Sequence, residues 1–191
     1  MNLPTWNLSE FYTSFKDKQI NKDLHSLKKK INLFSIKYKG NLEKLKNQQL
    51  IKTLVEFEKI EEIILKLRSF AYLEYCTDQL NNDKAKFYQF IEESVLDCQK
   101  DIIFYGIELN KLSDGKTSIF SKTKYKNWIK NHKKFRKYQK SENIERILAE
   151  KSLTSSSAWV RFFDQVITRL KFRIKGKVLS EAQVLNLLSS S

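Results

Sequence analysis

Residues 48–78 read QQLIKTLVEFEKIEEIILKLRSFAYLEYCTD. Within them Leu50, Leu54, Phe57, Ile60 or Glu61, Ile64, Leu67 and Ala71 recur at spacings of three and four, which places them on one face of a single long helix. No Gly or Pro interrupts the run. Asn81-Asn82-Asp83 then breaks the period and supplies side chains that cap a new helix. The period resumes with Phe87, Phe90, Ile91, Val95, Cys98, Ile102, Tyr105 and Leu109, predicting a second long helix over about 83–110. Two long helices joined by so short a turn form an antiparallel hairpin. That hairpin, residues 48–110, is the frame on which the rest is read.

On its N-terminal side, Ile20, Leu24, Leu27, Ile31, Phe34 and Tyr38 form another helical stripe, closed by Gly40 as a C-terminal cap. Lys28, Lys29, Lys30, Lys37 and Lys39 fall around its other faces. They read as the solvated side of a bundle helix, with a membrane-surface helix as the alternative. Ahead of it, Trp6, Phe11, Tyr12 and Phe15 crowd residues 3–15 and read as an arm anchored on the helices. Glu56, Glu58, Glu61 and Glu62 have no histidine nearby and read as a charged helix face.

On the C-terminal side, residues 111–123 are loop-like, with a turn at Ser113-Asp114-Gly115-Lys116. Residues 111–140 carry eleven Lys or Arg against one acid, Asp114. Tyr125, Trp128, Ile129, His132 and Phe135 share a helical face inside that stretch and are expected to be buried, a stacking platform for single-stranded nucleic acid being the alternative. Ser141 is placed to cap one helix and Thr154 or Ser155 the next, which runs through Trp159, Phe162, Phe163, Val166 and Leu170. Trp159 is expected to be buried on that stripe. The alternation around Lys175-Gly176 is the single strand-like signal and suggests one short hairpin. Ser180-Glu181-Ala182-Gln183 is a capping box that opens a last helix containing Val184, Leu185, Leu187 and Leu188. So short and apolar a helix is expected to be frayed and sticky alone, the edge at which a partner docks.

Composition agrees. Four Gly and one Pro are too few for a sandwich, a barrel or a glycine-rich phosphate loop. With 41% hydrophobic and 13% aromatic residues the chain has enough for a core. The expected fold is all-α, an antiparallel bundle of long helices with at most one short β-hairpin near the C-terminus. The regions read from the sequence are 1–112, a helical hairpin region, and 113–191, a second helical region.

The net charge of +14 raises nucleic acid or an anionic surface as a partner. Yet 30 of the 36 basic residues are Lys and 6 are Arg, and Ile (17) and Asn (13) are abundant as well. Lys, Asn and Ile share AT-rich codons, so coding bias is the first reading. Nucleic-acid surfaces favour the bidentate guanidinium that is scarce here. Cys76 and Cys98 sit in apolar helical patterns and read as buried free thiols. No signal peptide and no membrane-spanning run is visible, so the expected compartment is the cytoplasm.

His25 and His132 are the chain's two histidines, and neither has metal-ligand spacing to Cys, Asp, Glu or the other. Nucleophile elbow, Cys–His signature and phosphate loop are all missing from the sequence. The sequence therefore assigns no catalytic, cofactor-binding or metal-binding residue.

Several stretches nevertheless resemble one family. Leu3-Pro4-Thr5-Trp6-Asn7-Leu8-Ser9-Glu10-Phe11-Tyr12, Tyr38-Lys39-Gly40 and Ile107-Glu108-Leu109-Asn110-Lys111-Leu112 resemble oligoendopeptidase F-type zinc metallopeptidases, of the thimet-oligopeptidase-like family. The most specific pieces are Glu150-Lys151-Ser152-Leu153-Thr154, Ser157-Ala158-Trp159-Val160-Arg161 and Phe163-Asp164, which resemble the oligopeptidase F N-terminal domain. Glu181 to Leu188 follows in the same order. The resemblance implies an N-terminal helical region forming part of the wall of a substrate cleft, with 113–191 ending where a catalytic domain begins. In the family zinc is held by a His-Glu-x-x-His helix whose Glu activates water. This chain has no His-Glu pair. The expectation is a non-catalytic, truncated or split part of such an enzyme, with no cofactor of its own. Its partner would be a separate C-terminal catalytic chain, and peptides would be met only through that partner. A basic helical protein that binds nucleic acid, or a structural interaction module, is the alternative.

Overall fold

A computed structural model describes residues 7–188. Among the described residues the fold is all-α apart from one two-stranded hairpin. Helix α1 (Lys18–Tyr38) begins where the Asp17 carboxylate accepts the Gln19 N–H at 2.8 Å. Helix α2 (Asn47–Thr77) is the long element predicted from residues 48–78, and α3 (Asn82–Gln99) returns against it. The Asn81 side chain caps α3 by accepting from the Asp83 and Lys84 amides, as the break in the period indicated. Then follow α4 (Ile103–Lys111), the single turn α5 (Asp114–Thr117), α6 (Lys126–Lys134), α7 (Glu142–Thr154) and α8 (Ser156–Arg169). Strands β1 (Phe172–Ile174) and β2 (Lys177–Leu179) pair antiparallel, with Arg173 opposite Val178. Helix α9 (Glu181–Leu188) follows.

The core lies between α1, α2, α3 and α4. Ile20, Leu27, Ile31, Phe34 and Tyr38 are buried on α1, and Leu50, Leu54, Ile60, Ile64, Leu67 and Ala71 on α2. An aromatic cluster fills the middle, where Phe34 lies edge-on to Tyr105 (centroids 5.1 Å apart) and Phe57 packs on Tyr105 at 4.7 Å. The N-terminal arm is anchored through Tyr12. Its ring is buried, its hydroxyl donates to Asp23 Oδ2 at 2.7 Å, and the Lys66 ammonium lies 4.2 Å from the ring centre. Phe11 and Phe15 pack beside it, while Trp6 lies outside the described residues.

The helix expected over about 83–110 is not continuous. At Lys100–Ile102 it tightens into a 3₁₀ turn before resuming as α4. Ile102, Tyr105 and Leu109 are buried as their spacing predicts, Phe104 is buried as well, and Ile102 lies beside α1. Phe90, counted on the stripe, is exposed.

Three of the described residues adopt a left-handed backbone. Gly40 has φ +76° just past α1, and its N–H donates to Glu108 Oε1 at 2.7 Å, tying the end of α1 to α4. Lys175 (φ 49°) and Gly176 (φ 77°) form the two-residue turn of the hairpin, a geometry that suits the right-handed twist of the strands.

Candidate docking interface

The burial pattern changes along the chain. The core reaches Phe120, Tyr125 and Ile129, and from residue 130 to 188 no described residue is buried. Helices α7 and α8 are attached by polar contacts instead. Arg146 Nη1 donates to the Lys100 carbonyl at 3.1 Å and Nη2 to Asp101 Oδ1 at 3.2 Å. Lys100 Nζ reaches Glu150 at 3.0 Å, and Lys39 pairs with Glu142. On α8 the Thr168 hydroxyl donates to Gln79 Oε1 at 2.6 Å, beside the α2–α3 turn.

With polar groups facing the bundle, the apolar stripes face outward. Ile144, Ile147 and Leu148 on α7 are exposed, as are Trp159, Val160, Phe162, Phe163 and Val166 on α8. Trp159, expected to be buried, is 71% exposed, and Phe163 is 62% exposed. The stripe exists, but Arg161, Asp164 and Thr168 turn toward the bundle and no element of the described chain covers the other side. Trp159 meets Phe162 edge-on, 6.1 Å between centroids. Further along the chain Leu170, Phe172 and Val178, and Leu185, Leu187 and Leu188 on α9, are exposed as well. Ser180 caps α9 as expected, with its N–H donating to Gln183 Oε1 and its hydroxyl accepting from the Gln183 amide. Large apolar side chains gathered on one exposed helix face, as on α8, mark an interaction site.

The residues singled out for chemistry are dispersed. Cys76 is exposed rather than buried, because the stripe of α2 passes through Tyr75 instead. Cys98 is half-buried, and burial pushes its thiol up from the usual range. His25 is exposed on α1. His132 is half-buried on α6, stacked on Trp128 with centroids 5.0 Å apart, its Nε2 donating to the Gly106 carbonyl at 3.0 Å. No group of three or more His, Cys, Asp or Glu among the described residues is placed to hold a metal ion.

The basic stretch is partly consumed by the fold. Lys116 donates to the Leu45 carbonyl, Lys124 pairs with Glu58 at 2.8 Å, and Lys133 pairs with Asp114. Hydrogen bonds from Lys124 and Tyr125 hold the Glu58 carboxyl below its usual range. The expected shared buried face holds for Tyr125 and Ile129 and fails for Trp128 and Phe135, which are exposed. Helix α6 ends at Lys134, and the 3₁₀ turn Arg136–Tyr138 carries Phe135 off the stripe.

Beside this region lies a cavity of about 660 Å³ between α2, α4, α6 and α7. Phe57, Glu61, Ile107, Asn110, His132 and Leu148 are among the residues that line it. Among the described residues no helix is long and apolar enough to cross a membrane.

Residues 108–172, about a third of the chain, match the family model of oligopeptidase F, in its N-terminal domain. The match spans the end of α4 through α8, including the exposed stripe. It does not extend to the resembling segments at 3–12, 38–40 and 181–188. No curated protein matches the chain. No solved structure matches it.

Proposed function

We propose that this chain, whose residues 108–172 match the family model of oligopeptidase F, is the non-catalytic helical part of an oligoendopeptidase F-like zinc peptidase. It acts by packing the apolar face of α8 and its neighbours against a catalytic part, whether joined to it or assembled with it. The observation that carries the reading is the position of Trp159, Phe162, Phe163 and Val166. They are exposed on one side of α8, inside the stretch that matches the family. Large aromatic side chains supply most of the energy of a protein interface once water is excluded from them. The zinc, its ligands and the glutamate that activates water belong to the catalytic part. The helices of this chain contribute a wall that orders the catalytic part and limits access of peptides to it. Two free cysteines fit a reducing compartment, and the cytoplasm is the proposed setting.

Peptide hydrolysis by the zinc-bearing part of an oligopeptidase F-type enzyme tests this, measured with and without the chain. The expected result is no hydrolysis by the chain alone and a gain on mixing that Phe163→Asp abolishes. A gain that survives Phe163→Asp, or no gain at any ratio, contradicts the reading.

A further inference from the structure

The basic stretch leaves several of its aromatic rings in water. Phe135 is 65% exposed, Tyr138 63% and Trp128 40%. Trp128 and Phe135 are two helical turns apart, so they lie on the same side of α6, separated by about 10 Å along its axis. Tyr138 follows through the 3₁₀ turn Arg136–Tyr138, one turn and about 6 Å further on. Trp128 is backed by His132, their rings parallel to within 4°. His132, Phe135 and Tyr138 in turn line the cavity between α2, α4, α6 and α7. The three exposed rings therefore follow one another along a single edge.

Cations run beside them. Lys126, Lys130 and Lys134 recur at every fourth residue of α6 and are exposed, and Arg136, Lys137 and Lys140 continue past its end. None of the six makes an ion pair with a described residue. Lys134 Nζ donates to the neutral Asn131 Oδ1 at 3.0 Å, and Lys137 Nζ lies 4.8 Å from the centre of the Tyr138 ring. The acids around them are largely engaged. Asp114, alone among residues 111–140, pairs with Lys133, Glu58 with Lys124 and Glu142 with Lys39. Glu61 and Glu145 line the cavity, where none of the six cations is found. Coding bias accounts for many lysines, but not for large rings exposed next to them.

A row of cations attracts a chain of phosphates, and exposed rings offer faces on which unpaired bases stack. A duplex hides its base faces, so rings select a single strand. Lysine meets phosphate as a point charge, without the bidentate fork that reads base edges, so such a surface reads no sequence.

We propose that the exposed side of α6 and the 3₁₀ turn after it binds single-stranded nucleic acid without sequence preference. The six cations lie along the phosphates, and Trp128, Phe135 and Tyr138 stack against the bases. The inference rests on this surface and not on the peptidase reading.

The probes are fluorescein-labelled oligodeoxythymidylate and oligouridylate of about 15 nucleotides, titrated with the full chain and followed by anisotropy. Both are expected to bind in the micromolar range at about 50 mM NaCl. With about four phosphates engaged, log K should fall against log salt with a slope of about −3. Phe135→Ala combined with Tyr138→Ala should weaken the single strands by about tenfold or more and leave the slope unchanged. Lys130→Gln combined with Lys134→Gln should reduce the slope by about 1.4. All four side chains are exposed, so far-UV circular dichroism should not change in either variant. A tighter grip on one of the two strands supports the proposal and identifies the partner as DNA or RNA. A matching duplex, or a polyglutamate of similar length, bound as tightly as the single strands overturns it. So does full affinity in the aromatic double variant, or no binding at about 50 mM NaCl.

Discussion

Thr53 and Tyr105 are both fully buried, one on α2 and the other on α4, with their oxygens 2.9 Å apart. The Thr53 hydroxyl proton is already directed at the Leu50 carbonyl, at 2.7 Å, so Tyr105 is the donor of the pair. Replacing Thr53 by Val keeps the side-chain shape and strands the Tyr105 hydroxyl in the aromatic cluster. A buried group left without its partner costs about 1–3 kcal/mol. Tyr105→Phe removes the donor but leaves Thr53 bonded to Leu50, so the loss is that of one ordinary hydrogen bond, about 0.5–1.5 kcal/mol. In the double variant both faces are apolar and most of the penalty of Thr53→Val disappears. The two losses therefore do not add, and the coupling is about 1 kcal/mol. Urea denaturation of the four proteins, followed by far-UV circular dichroism, measures each value. Each kcal/mol also moves the melting temperature by about 2–4 °C in a chain of this length. If Thr53→Val is as mild as Tyr105→Phe and the losses simply add, the pair is hydrated and the reasoning fails.

Three further outcomes follow from the same packing. Ile64→Ala, at a site 1% exposed, is expected to cost about 2–5 kcal/mol, while Trp159→Ala changes stability by less than about 0.5 kcal/mol; similar losses in a denaturation series would contradict the assignment of faces. Burial pushes the Tyr105 and Tyr12 phenols above the usual range, so their contribution is intact below about pH 10, where unfolded tyrosine ionises. It is lost as pH climbs beyond that, and the decline should be shallower in Tyr105→Phe when unfolding is measured across alkaline pH. The purified chain, dialysed and analysed by mass spectrometry for metals, is expected to hold no stoichiometric zinc, and one tightly held zinc per chain would overturn that expectation.

The helical frame was legible because it depends on local period and caps. The stripe from Ile20 to Tyr38, the long run after Gln48, the cap at Asn81 and the Lys175-Gly176 turn all carry their information within a few residues. The break at Lys100–Ile102 was not legible, because no Gly or Pro marks it. The stripe of α8 was legible as a stripe. Periodicity cannot show which way it faces, and the polar clips from Arg146 and Thr168 turned it outward. In the cavity between α2, α4, α6 and α7, one signal was present. Glu61 competes with Ile60 for the stripe of α2, a carboxylate where an apolar residue is due. That Asn110 Oδ1 is buried without a partner had no signal, since its isolation depends on residues far away in the chain.

The proposed docking of a zinc catalytic part on the apolar face of α8 would bring Trp159 into the contact. A variant keeping Trp159 as the single tryptophan, with Trp6→Phe and Trp128→Phe, reports on that face directly. Alone, its fluorescence should be quenched by acrylamide almost as readily as in the unfolded chain. On adding the catalytic part of an oligopeptidase F-type enzyme, quenching should fall and the emission should move to shorter wavelength. A Trp159 that stays fully quenchable with the catalytic part in saturating excess would contradict the claim.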